Sequence, residues 1–72
     1  MLVKFIYEHD NGTDFLFVNY IEKKFVFIEN MQKSDSIYKE QIDDGCIRIN
    51  FHQLTRLLFD LTMIGKFEAR GN

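Results

Sequence analysis

The residues of this chain that could carry chemistry are few and scattered. Its two histidines are His9 and His52, and its one cysteine is Cys46. A nucleophilic thiol needs a base within hydrogen-bond reach. Cys46 with His52 is the most obvious pairing, and nothing in their spacing sets them face to face. Asp43 and Asp44 are adjacent carboxylates, but they stand in an Asp-Asp-Gly turn, where aspartate serves the backbone. His9, Asp10 and Asp14 gather about another turn. Asp10-Asn11-Gly12 matches the opening of a calcium loop, yet the later ligands and the bidentate glutamate are missing. The chain has no Cys-x-x-Cys or His-x-x-x-His spacing. Gly12, Gly45, Gly65 and Gly71 are too dispersed for a phosphate loop. Asn11-Gly12-Thr13 fits a glycosylation sequon, but no secretion signal accompanies it. The expectation is a chain without enzymatic activity, metal, cofactor or small-molecule substrate.

Binding chemistry is better represented. Phe5, Tyr7, Phe15, Phe17, Tyr20, Phe25, Phe27 and Tyr38 fall in strand-like runs, with Lys4, Lys23, Lys24, Lys39 and Arg48 on or beside them. Binders of single-stranded nucleic acid combine aromatic platforms with a basic groove. Aromatic residues in strands also build cores, so the pattern has two readings. The formal charge is −2, with both signs mixed along the chain. That argues against binding driven mainly by phosphate neutralisation. It is also too mild for an acidic mimic of nucleic acid.

These side chains must be positioned by a small scaffold. Seventy-two residues make a single domain, residues 1–72. Leu2–Glu8 reads as a first strand, and Asn11-Gly12 is a strong hairpin signal. A second strand runs over Asp14–Ile21. Glu22-Lys23 breaks it before a third over Lys24–Glu29. Asn30–Ser36 reads as a loop. Ile37–Ile42 and Cys46–Ile49 form a further hairpin across Asp43-Asp44-Gly45. The spacing then predicts a helix over Phe51–Ile64. Asn50 is its N-cap, and Gln53 completes a capping box. Phe51, Leu54, Leu57, Leu58, Leu61 and Ile64 make its apolar stripe, and Gly65 closes it. Phe59 and Met63 fall off that stripe, beside His52 and Arg56. The expected fold is α+β: an antiparallel sheet of four to five strands followed by one C-terminal amphipathic helix, in the order β-β-β-β-β-α.

Two runs, Phe15-Leu16-Phe17-Val18 and Phe25-Val26-Phe27-Ile28, are apolar at every position. Neighbouring strand residues point to opposite faces, so this sheet is apolar on both. It needs two covers, and the sequence shows one convincing helix. The second cover is expected from outside the chain: another copy, a partner protein or stacked bases. A lone cysteine forms no internal disulfide, so self-association is the remaining route to extra stability for so small a domain.

The segment Ile47-Arg48-Ile49-Asn50, with Leu54, Leu57-Leu58 and Leu61, resembles the last strand, cap and helix of the positive cofactor four family. The resemblance covers roughly residues 44–62. The family has four strands followed by a helix, forms dimers and binds single-stranded DNA on its sheets. The chain departs from it in having no Trp, an acidic balance, short hairpin loops and Asp43-Asp44 where the family is rich in glycine and lysine. The resemblance implies ligand contacts from Lys4, Tyr7, Lys24, Lys39 and Arg48, chosen by residue type and strand position.

Two functions follow as expectations. One is a homodimer that binds single-stranded nucleic acid in transcription or replication, its helices paired through His52, Arg56, Phe59 and Met63. The other is a regulator of the kind carried by phages and mobile elements. It would inhibit or adapt a host protein through an exposed apolar sheet or helix face. A third is a purely structural homodimer or a subunit of a larger assembly. The uninterrupted apolar runs are far too short for a membrane span, and Met1-Leu2-Val3-Lys4 lacks the features of a signal peptide. A cytoplasmic location without membrane association is the expectation.

Overall fold

The computed structural model describes residues 1–70, apart from the side chain of Ile64. Three long strands form an antiparallel meander: β1 (Leu2–His9), β2 (Gly12–Asn19) and β3 (Lys24–Met31). A four-residue helix α1 (Tyr38–Gln41) follows, then β4 (Cys46–Arg48), helix α2 (Phe51–Thr62), a 3-10 turn (Met63–Gly65) and β5 (Glu68–Ala69). The sheet order is β4-β1-β2-β3-β5.

This is a small α+β domain, but its sheet is mixed rather than antiparallel. β4 runs parallel to β1, and β5 parallel to β3. The expected Ile37–Ile49 hairpin does not form. Residues 38–41 are helical, and β4 crosses to the far edge of the meander instead. Nor does the helix end the fold, since β5 follows it. The helix itself is regular from Phe51 to Thr62 and tightens into the 3-10 turn, with Gly65 at φ +64° ending it.

Local chemistry accounts for the joints. The first hairpin turns on Asp10-Asn11, with His9 opposite Gly12. Gly12 takes φ +136°, and a Cβ there would come within 2.9 Å of the Asn30 and Met31 backbone. Only glycine fits this approach. At the second turn the Asn19 side-chain carbonyl accepts from the Ile21 and Glu22 amides, an Asx turn, and Lys23 adopts φ +57°. The α2 cap forms as expected. The Asn50 side chain accepts from the Gln53 amide at 2.8 Å, and the Gln53 side chain accepts from the Asn50 amide at 2.9 Å.

Strand alternation sorts the side chains into two cores. Phe5, Leu16 and Phe27 are in register across the meander and face α2. Leu16, Val18 and Phe25 are buried there against Leu54 and Leu61. Phe67, past the 3-10 turn, packs against this core and meets Tyr20 edge-on at 5.8 Å. Phe51 does not join the buried stripe and is 61% exposed.

Ile6, Phe15 and Ile28 are likewise in register, on the opposite face. The chain itself supplies the cover expected from outside. The segment 32–45 carries α1 over this face, where Tyr38 is buried and meets Phe15 edge-on at 6.0 Å, with Ile42 beside it. Met31 reaches this second core because of a bulge. Thr13 pairs with Met31 but Phe15 with Ile28, so β3 carries one extra residue, and Asn30 there takes φ +57°. The bulge reverses the parity of the strand, which is why an odd-numbered side chain joins even-numbered neighbours.

Candidate interaction surfaces

The outer side of α2, turned away from the core, carries exposed apolar side chains. The spacing of four, three and four places His52, Arg56, Phe59 and Met63 along one side. The buried Leu54 and Leu61 lie on the other. All four residues are exposed, with Phe59 at 57% and Met63 at 43%. Arg56 and Asp60 form an i,i+4 ion pair at 3.5 Å beside Phe59. The sequence-derived grouping of these four is thus one continuous strip.

The five residues implied as ligand contacts are brought together only in part. Lys4, Lys24 and Arg48 share the sheet face opposite α2, since Lys4 pairs with Phe17, Lys24 with Asn19 and Arg48 with Ile6. Lys4 is occupied. Its Nζ donates to the Gln41 carbonyl at 2.8 Å and to the Asp43 carboxylate at 3.1 Å, and it lies 5.8 Å from the centre of the Phe17 ring. Arg48 is paired with Glu8, and Lys24 lies 3.9 Å from Glu22. Tyr7 is on the other side of the sheet, stacked on His9 at 5.0 Å and tilted against Phe51 at 5.8 Å. Lys39 is exposed on α1.

Segment 32–45 stops short of one end of this face. There Leu2, Phe17 and Val26 line a hollow of about 250 Å³, with Lys24 and Arg70 also around it. The segment is fastened at Asp43. The Lys4 ammonium donates to its carboxylate, and the Cys46 thiol, second in effect, lies 3.4 Å from it; together they hold its pKa below the ordinary aspartate value.

Sequence reasoning gathered His9 and Asp14 about the first turn but did not foresee that Asp14 is buried there. Asp14 is only 8% exposed, and its Oδ1 accepts both the Asn30 amide at 3.0 Å and the His9 Nε2–H at 2.7 Å. His9 Nδ1 accepts the Asn11 amide at 3.3 Å, which assigns the ring proton to Nε2. Both ring nitrogens are therefore committed to closing the hairpin and bracing the bulge. The available signal was parity: Tyr7 and His9 share one face of β1, and Asp14 stands opposite Tyr7.

The Cys46–His52 pair is not assembled. Cys46 is on the face under segment 32–45, while His52 is on α2 across the sheet. Among the described residues no group of three or more His, Cys, Asp or Glu side chains could hold a metal. No described helix is long and apolar enough to cross a membrane.

The fold and these surfaces define a small mixed-sheet α+β domain with one exposed helical strip. No family model, curated protein or solved structure matches the chain.

Proposed function

We propose that this chain is a small non-enzymatic binding protein that works as a homodimer, its copies joined through the outer side of α2. The observation that carries this reading is the strip of Phe59 and Met63, exposed on the helix side turned away from the core. Aromatic and methionine side chains are enriched at the centres of interfaces. The strip also suits a second copy. Arg56 and Asp60 bracket Phe59, so an antiparallel two-fold pairing sets each copy's Arg56 against the other's Asp60.

Phe59→Asp tests it. A central aromatic anchor is worth at least about 2 kcal/mol, so the variant should weaken the dimer by roughly 30-fold. Light scattering should report a monomer at micromolar concentration, with an unchanged circular dichroism spectrum. A wild-type chain that is already monomeric overturns the dimer and directs the strip to a foreign protein, the regulator reading.

Single-stranded nucleic acid as ligand is the second reading. It is supported by the shared face of Lys4, Lys24 and Arg48 and by the hollow with Phe17, Lys24 and Arg70 around it. A half-buried ring flanked by cations suits one stacked base and its phosphate. Fluorescence anisotropy with labelled oligo-dT should show binding that weakens from low to moderate salt. No binding at low salt removes this reading and leaves the dimer standing.

A further inference from the structure

We propose that segment Gln32–Gly45 is a hinged cover that opens as a unit while the rest of the domain stays folded. The observation behind this is where its hydrogen bonds go. Its backbone–backbone bonds are local: Asp35 N–H to Gln32, Tyr38 N–H to Asp35, Ile42 N–H to Tyr38, and Cys46 N–H to Asp43. Among the described residues the last of these, at the first residue of β4, is the only one that reaches a strand, so lifting the segment breaks no rung of the sheet. It also pairs with no strand.

Gln32 Nε2 donates to the Asn11 and Asn30 carbonyls at 2.8 and 2.9 Å and anchors the segment at its hinge; beyond that, what holds it shut is a short set of side-chain attachments. Tyr38 is the one buried side chain of α1 and rests on Phe15. Lys4 Nζ binds the Gln41 carbonyl and the Asp43 carboxylate, and the Cys46 thiol donates to the same carbonyl at 2.9 Å. Lys33 to Ile37, Lys39 and Glu40 are exposed, and α1 has no side-chain N-cap. Four-residue helices have no intrinsic stability. Segments with few buried contacts and local bonding open sub-globally. Opening would bare Ile6, Phe15 and Ile28 and release Lys4, so the second sheet face becomes available conditionally. The α2 strip lies on the other side of the sheet and is independent of this motion.

Native-state hydrogen exchange on the whole chain, read by NMR in water and in sub-denaturing urea, tests the cover. The Tyr38 and Ile42 amides should be at least 10-fold less protected than amides of the β1–β2 ladder. Their exchange should also depend more weakly on urea, because less surface is exposed. Lys4→Met should speed exchange of these two amides about fivefold and leave the ladder unchanged, as expected for losing a charge-assisted hydrogen bond. Equal protection and equal urea dependence in the wild-type chain overturn the proposal, whatever the variant does. A Lys4→Met effect of the same size on cover and ladder also overturns it.

Discussion

Phe15→Ala should lose about 3–5 kcal/mol of stability, the cost of removing a fully buried aromatic ring and leaving a cavity. Phe15 is 0% exposed, lies parallel to Phe17 at 5.9 Å and receives the edge of Tyr38. A domain of this length has about 4–11 kcal/mol in total, at roughly 0.05–0.15 kcal/mol per residue. The variant should therefore be partly unfolded at room temperature. Urea denaturation followed by circular dichroism measures the loss. Ile21→Ala is the control, since Ile21 is 78% exposed and lies outside the α2 strip, and such a position should change stability by no more than about 0.5 kcal/mol. A Phe15→Ala cost below about 1 kcal/mol would mean that the second sheet face is not a core.

Removing the carboxylate of Asp14 should have the next largest effect. Asp14→Ala strands the Asn30 amide at the bulge and the His9 Nε2–H, both part-buried. An orphaned buried donor costs about 1–3 kcal/mol, and part-buried donors fall in the lower half of that range, so for the two a loss of about 2–4 kcal/mol is expected. Asp14→Asn keeps the one oxygen that accepts both bonds and loses the charge, so it should lose about half as much. The same denaturation experiment ranks the two. Equal losses for Ala and Asn would show that the charge on the carboxylate, rather than its acceptor geometry, braces the hairpin.

What the sequence revealed and what it concealed divide along physical lines. The α2 cap was legible because Asn50 and Gln53 act on each other across three residues. The meander was legible from the Asn11-Gly12 signal and two long apolar runs. The double-faced apolarity of β2 and β3 was legible too, and it correctly demanded two covers. The source of the second cover was not. Segment 32–45 shows no helical or strand period, and α1 is too short to display one, so Tyr38 passed for a strand residue. Asp43-Asp44-Gly45 resembled a hairpin turn because turn chemistry does not reveal where the next strand docks. Pairing of β4 with β1 is a contact between residues about forty apart, and no local signal encodes it. β5 has two residues, below the length at which alternation means anything. At the surfaces, residue type found the α2 strip. It did not separate Tyr7 from Lys4, which strand parity places on opposite sides.

The strand order has a consequence for synthesis on the ribosome. The central meander comes from the first 31 residues and can register by itself, since its pairings are between sequence neighbours. Its edge strands and both lids come from residues 32–69. A nascent chain therefore holds a ribbon greasy on both surfaces, with neither flank shielded, until the second half emerges. Such an intermediate is a natural client for a holding chaperone, and the short parallel edges of the finished sheet end that exposure.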